Sequence, residues 1–487
     1  MNLSHRSGAW TLTWTLTWAG SLVAVASVAC AAERPNIILM LADDQGWDGL
    51  SVAMAPDAAG SRRQVFHTPN LEKFAAQGMR FSNAYAPAPV CSPTRISIQT
   101  GRSPAALHWT KAAPPEQGHK LREPTLIKQI AAAEVTVGEL LQQAGYRTAH
   151  YGKWHIQGGG PGAHGYDEHD GDTGNENAYE FRDPNPVDIF GMADRAEAFM
   201  AKSKEAGRPF FIQLSWNALH APGNALEATL AKYAERLSSR DDRRTAVAAI
   251  TEDLDTGVGR VLAAIDRLGL AGTTYVIYTS DNGSGGGGAK GGGRAGGLSG
   301  GKGSVWEGGI RVPFIIRGPG IAAESWCQVP IVGYDLLPTF CEWAGVPAVS
   351  LPKTIEGGSI AGLVANGGRG EVARPRDELL FHFPHYQGGH TPHSAIRAGN
   401  LKLLKMYEDD SVKLFDLDSD RGEQNDLAGA RPADAARLRA RLEESLAAVQ
   451  AQLPTLDPDF DPTRPAPPVK RRKKADMPGK PAPKVKP

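Results

Sequence analysis

A chain of 487 residues is long enough for one large domain and a smaller one, and with only four cysteines it is no disulfide-stapled scaffold. Its 41% hydrophobic and 22% charged content is that of an ordinary soluble globular body. Basic and acidic residues balance at 53 each, but nine basic residues and one aspartate lie from Arg464 onward, so the tail carries +8 and the rest −8; a mildly acidic body argues against nucleic acid as the main partner.

Met1 to Arg6 is short and weakly basic, Trp10 to Val28 is apolar with threonine interleaved, and Ala29-Cys30-Ala31 offers the small residues of a cleavage site. Residues 1–31 are therefore expected to be a signal peptide, the protein to be exported (periplasmic or secreted), and no stable membrane span to remain after cleavage. The rivals are a retained anchor, which prefers about 20 cleaner apolar residues, and lipidation at Cys30, to which Ser27-Val28-Ala29 is a poor match. Cys91, Cys327 and Cys341 remain after cleavage; the last two either pair in an oxidising compartment or are simply buried.

The run Asn36-Ile37-Ile38-Leu39-Met40-Leu41, ending at Asp43-Asp44, suits a buried strand of a parallel sheet. Val135 to Ala144 reads as a helix stopped by Gly145, followed by a short strand from Tyr146 to Tyr151 and a buried strand from Pro209 to Ser215. Val247, Ile250, Leu254, Val258, Val261, Ile265 and Leu268 form one apolar stripe of a helix ended by Gly269, and Thr274 to Thr279 is the next strand. Such alternation implies an α/β sheet with helices on both faces, with its site at the carboxyl ends of strands. Asp43-Asp44 and Asp281-Asn282 both stand just past such ends. Ser284 to Gly301 is dominated by glycine and is expected to be a mobile loop. Beyond about residue 370, His393 to Lys405 and Lys413 to Leu417 read as strands of a small antiparallel sheet, and Ala433 to Ala451 as an amphipathic helix. The remainder, Pro- and Lys-rich, is expected to be disordered. No internal repeat is present.

A lone cysteine before a proline turn is usually a buried thiol. Here Cys91-Ser92-Pro93-Thr94-Arg95 is followed by Thr100-Gly101-Arg102, and this extended pattern resembles the signature of type I sulfatases, of the alkaline-phosphatase-like superfamily. Further segments resemble the family in the expected order: Asp43-Asp44, Gly152-Lys153-Trp154-His155, His220 in Asn217 to Pro222, Asp281-Asn282-Gly283, Gly301 to Pro313 with Lys302, and Leu414 to Leu427 near the end. The likeness spans about Pro35 to Ala428. It implies a large mixed, mostly parallel sheet flanked by helices, with a smaller C-terminal antiparallel sheet plus helix. The matching division is a catalytic domain over 32–369, a C-terminal subdomain over 370–452 and a basic tail over 453–487.

The resemblance also implies the chemistry. Cys91 would be oxidised to formylglycine by a dedicated formylglycine-generating enzyme. One hydroxyl of the hydrated aldehyde would attack sulfur; the other would then expel sulfate and restore the aldehyde, an exit that a plain serine ester lacks. Asp43, Asp44, Asp281, Asn282 and the modified Cys91 would hold one Ca²⁺, a hard cation suited to oxygen ligands. Lys153 would hold the hydrate and sulfate, His155 the hydroxyl that drives elimination, His220 the sulfate and leaving alcohol, and Lys302 the sulfate charge, while Arg95 would orient the formylglycine and help hold the loop. The reading is a sulfuric ester hydrolase, arylsulfatase-like, acting on sulfated glycans. Its alternatives are a phosphodiester or phosphonate ester hydrolase of the same superfamily, or a non-catalytic glycan-binding protein. His382 and His385, with Tyr386 and His390 nearby, are candidates for contacting sugar, or else histidines of a surface loop.

Overall fold

A computed structural model of the chain describes residues 1, 8, 34–238, 243–285 and 295–463. Apart from Met1 and Gly8, the expected signal peptide lies outside the described residues, as do residues 464–487 of the basic tail and 286–294 of the glycine-rich loop. The chain divides into two units, Met1–Glu33 and Arg34–Pro487, and the sheets and helices belong to the second.

Its centre is the strand Asn36–Ala42, every residue of which is buried. Parallel neighbours, Phe210–Ser215 and Thr274–Ser280, flank it. The full sheet runs Ser325–Cys327, Met79–Phe81, Phe314–Arg317, Thr274–Ser280, Asn36–Ala42, Phe210–Ser215, Arg147–Gly152, Glu168–His169; only Phe314–Arg317 is antiparallel to its neighbours. Successive side chains of a strand point to opposite faces, so Ile38 and Met40 enter one core and Ile37, Leu39 and Leu41 the other. The first core is covered by the helices Ile189–Glu205 and Arg243–Arg267, whose stripe includes Ile250, Leu254, Val258, Val261 and Ile265. The second is covered by Cys91–Thr100, Val137–Gln143 and Leu336–Trp343. Burial on both faces explains the unbroken apolar runs.

The helix expected from Val135 begins at Val137, because Thr136 caps it and Glu139 closes a capping box. The long helix begins at Arg243, earlier than its apolar stripe. The strand expected over 393–405 is two, His393–Ala398 and Leu401–Met406, joined at Gly399 with φ +60°. With Leu379–Phe383 and Val412–Asp416 they make a four-stranded antiparallel sheet. One face packs on the helix Pro432–Ala448; the other meets Val90, Val305, Ile310 of the short helix Glu307–Ile310, and Tyr85 and Val332 of the two-stranded sheet formed by Ala84–Tyr85 and Ile331–Val332. Within the described part of the segment from residue 453, where disorder was expected, Thr455–Leu456 instead pairs antiparallel with Leu121–Arg122, and Arg122 reaches Asp457 at 2.9 Å. Cys327 and Cys341 are free and buried, so of the two readings burial holds. Among the described residues no helix is long and apolar enough to cross a membrane.

Candidate active site

The register of the central strands builds the site. Ala42 pairs with Ser280 and Leu41 with Ser215, so three parallel strands end level. Asp43 and Asp281 are the next residues; Asp43 N donates to Ala218 O (2.8 Å) and Asp281 N to Ala42 O (3.1 Å). Asp44 takes φ +63°, a left-handed conformation that aspartate tolerates better than most residues. The turn brings two consecutive carboxylates into one cluster, where Asp44 N also donates to Asp281 Oδ1 at 3.2 Å.

Cys91 opens the helix Cys91–Thr100, with Val90 at the N-cap. Its Sγ is 3.4 Å from Asp43 Oδ1 and 3.4 Å from Lys302 Nζ. Ligand atoms of Asp43, Asp44, Cys91 and Asp281 all lie within 4.8 Å of one another. Asn282 donates Nδ2 to Asp44 Oδ1 (2.8 Å), while its buried Oδ1 has no partner. A buried amide oxygen without a donor is costly. The Asn282 amide is held against Asp44, and Asp44 clusters with Asp43 and Asp281, so the set fits a hard cation with oxygen ligands.

Three cations balance these carboxylates. Lys153 bonds Asp43 Oδ2 and Lys302 bonds Asp44 Oδ1. Arg95 grips Asp281 Oδ2 through Nε (3.0 Å) and Nη2 (2.7 Å) and donates Nη1 to Lys153 O (2.6 Å). Arg95 thus holds Asp281 and the Lys153 backbone, and its charge also acts on Cys91. Burial alone would raise Asp43, but Lys153, His220, Arg95 and Lys302 hold it well below the usual carboxylate range. For Asp281, burial and the neighbouring Asp43 outweigh Arg95 and lift it to about 6. Burial, then Asp43, pushes the Cys91 thiol up to about 12, so the unmodified side chain is a neutral thiol and a weak nucleophile.

The histidines border this cluster. His155, at φ +59°, is fixed by its N–H to Thr173 O (2.8 Å), and its buried Nδ1 has no partner. Burial, with Lys153 and Arg95 nearby, lowers it to about 2, which keeps the ring neutral. His220 Nδ1 donates to Ala221 O at 2.8 Å, since a carbonyl can only accept; Nε2 is then the free end of the ring. Burial lowers its pKa as well. Lys302 is tied down at its backbone, N to Ser284 O at 3.1 Å, despite the glycine-rich stretch before it.

The two histidines expected to meet sugar are placed otherwise. His382 is buried on the strand Leu379–Phe383, with Nδ1 on Ser394 Oγ (2.6 Å) and Nε2 on Gln452 O (2.9 Å). His385 is also buried, between Glu123 Oε2 (2.7 Å) and Thr110 Oγ1 (2.6 Å), and Lys111 completes that network. Both rings spend their nitrogens inside the protein, which leaves none for a substrate hydroxyl.

Two family profiles match the chain: Sulfatase over residues 35–346, and N-sulphoglucosamine sulphohydrolase, C-terminal, over residues 301–452. Arylsulfatase A of Homo sapiens is 29% identical over 421 residues, 78% of this chain and 76% of that protein. The Ulvan-active sulfatase of Formosa agariphila is 27% identical over 438 residues, 81% of this chain and 77% of that one. In fold, the chain is similar to the crystal structure of Ps i-CgsB in complex with k-i-k-neocarrahexaose, with a TM-score of 0.68 at 24% identity, over 85% of this chain and 93% of that one.

Proposed function

The chain belongs to the sulfatase family of sulfuric ester hydrolases, and on that premise we propose that it desulfates sulfated glycans, with Cys91 matured to formylglycine and one calcium ion held by Asp43, Asp44, Asp281, Asn282 and the modified side chain. The observation that carries this reading is the position of Cys91 Sγ, 3.4 Å from both Asp43 and Lys302 and in one cluster with the carboxylates of Asp43, Asp44 and Asp281, their ligand atoms all within 4.8 Å of one another. The glycan is supported by two of the similar proteins: one is named as ulvan-active, the other was crystallised with a neocarrahexaose. Maturation needs a formylglycine-generating enzyme as a partner, and the apolar segment before Ala32 supports export.

When bound, the ion would supply Lewis-acid stabilisation of negative charge at residue 91 and on sulfate. The hydrated aldehyde would supply the attacking hydroxyl, and a second one for release. The chain's own residues do the rest. Lys153 and Lys302 border Cys91 and carry positive charge to the sulfate oxygens, where charge accumulates on the way to the transition state. His155, held neutral with Nδ1 unpartnered, would hydrogen-bond the residue-91 hydroxyl that later drives elimination. His220, its Nδ1 tied to Ala221 O, offers Nε2 to the leaving oxygen. Arg95 keeps Asp281 and the Lys153 backbone in place.

The test is turnover of matched sulfate and phosphate esters, then of defined sulfated oligosaccharides. The reading predicts that aryl sulfates are hydrolysed far faster than phosphate diesters with the same leaving group, and that at least one glycan releases inorganic sulfate. Faster phosphate diester turnover would move the chain to the rival hydrolase reading. Tight glycan binding without any release would move it to the binding-protein reading.

A further inference from the structure

One guanidinium at the rim of the cleft has no part in the chemistry above. Arg243 opens the helix Arg243–Arg267 and is exposed. Among the described residues it has no ion-pair partner. Its neighbour is Gly285, in the loop that follows Asp281-Asn282. A Cβ at position 285 would stand 2.7 Å from Arg243 Nη2 and 3.9 Å from Asp44 Oδ2. The first distance is a clash, so the guanidinium lies over backbone that only glycine leaves bare, on the side of that backbone facing Asp44.

The same turn of helix borders the His220 loop. A Cβ on Gly223 would meet Ala246 Cβ at 3.5 Å. Arg243 therefore stands between the loop after Asp281 and the loop that carries His220, on the leaving-group side of the cleft. The inner cations are already engaged: Arg95 by Asp281, Lys153 by Asp43 and Lys302 by Asp44. They are placed to face the scissile sulfate. A second anionic group on the leaving part of the substrate would meet Arg243. A guanidinium fork matches the oxygens of a carboxylate or a sulfate in a bidentate pair.

We propose that Arg243 is a specificity-determining residue that binds a second anionic group of the substrate, a uronate carboxylate or a further sulfate ester on the sugar adjoining the one desulfated. This rests on the glycan-sulfatase reading above.

The test is calorimetric binding to Cys91→Ala protein, which cannot turn over. The three probes are a monosulfated disaccharide, its analogue with a uronate on the neighbouring sugar, and its analogue with a second sulfate there. At physiological ionic strength, exposed charges are screened beyond about 8 Å, so a direct contact is what is measured. The parent protein is expected to prefer a doubly anionic probe. Arg243→Ala should cut that preference roughly ten- to hundred-fold, as for hydrogen bonds to charged groups, and Arg243→Lys should retain part of it. The probe whose preference falls more identifies the anion as carboxylate or sulfate. A parent with no preference for a second anion overturns the proposal, as does an undiminished preference in Arg243→Ala or equal weakening of all three probes. Failure of the underlying reading is visible separately, as unsubstituted enzyme that leaves aryl sulfates and sulfated glycans untouched.

Discussion

His220 and Lys302 border the same cleft but are built for different work, and leaving-group chemistry separates them. His220 keeps Nδ1 on a backbone carbonyl and presents Nε2, whereas Lys302 spans from Asp44 to Cys91 Sγ. An alkoxide needs a proton to leave and a phenolate with electron-withdrawing groups does not. His220→Ala should therefore cost most with poor leaving groups and steepen the dependence of kcat/KM on leaving-group pKa across graded aryl sulfates. Lys302→Ala should lower kcat/KM throughout the series, by about 2–4 kcal/mol as for other single electrostatic stabilisers, with the slope little changed. An unaltered slope in His220→Ala would take the proton-transfer role from that residue. At this scale the sequence was informative because the candidate residues sit in short segments, Asp43-Asp44, Cys91 to Arg95, Lys153 to His155, Asp281-Asn282 and Lys302, which the structure brings together. His382 and His385 were not legible. His385's partners Glu123 and Thr110 lie 262 and 275 positions away, and nothing local announces such a network.

Among the elements, the central strands were readable because burial on both faces demands unbroken apolar runs, and the long helix because it has one buried stripe. The helix Cys91–Thr100 had no such signal: all ten residues are buried, polar ones included, so no period distinguishes a face. The small antiparallel sheet hides another feature invisible in sequence. Where it meets the segment carrying Lys302, Lys402 Nζ lies 2.8 Å from both Glu307 Oε1 and Glu423 Oε1, and Arg311 Nε donates to Glu307 Oε2 at 2.7 Å. Burial would raise both glutamates; Lys402 and the arginines overcome it for Glu307, which is held well below the usual range, whereas burial and Glu307 itself leave Glu423 raised to about 7. The signs of the two therefore oppose each other. Ionised Glu307 stabilises the fold above its ordinary pKa of 4.5, and this is lost as pH falls. Glu423 favours the fold while protonated, and this is lost as pH rises from 4.5 through about 7. Glu423→Gln should flatten the fall in stability between those values in chemical denaturation at stepped pH. A profile parallel to that of the parent would show that Glu423 is not the titrating group. Glu307→Gln should instead be destabilising at neutral pH by about 3–5 kcal/mol, since it leaves buried cations uncompensated.

For the molecule as a whole, the level ends of three parallel strands gather carboxylates from positions 43, 44 and 281 around one cysteine. Without a metal ion, Lys153, Lys302 and Arg95 pair with these carboxylates, but the buried Asn282 Oδ1 is left without a partner. Calcium that binds the folded chain alone should therefore raise its stability, by about 2.7 kcal/mol at a hundredfold excess over Kd. Thermal melts with and without chelator should show the shift in the parent chain and lose it in Asp281→Asn. Equal stabilisation by calcium in both would place the ion elsewhere. The central claim, however, is that this geometry serves a nucleophile absent from the genetic code, and it is tested most directly at position 91 itself. Mass spectrometry of the tryptic peptide Phe81–Arg95 from catalytically active enzyme should find the Cys91 side chain converted from thiol to aldehyde, with the converted fraction tracking specific activity across preparations. Full sulfatase activity in preparations whose peptide carries only unmodified cysteine would contradict the account.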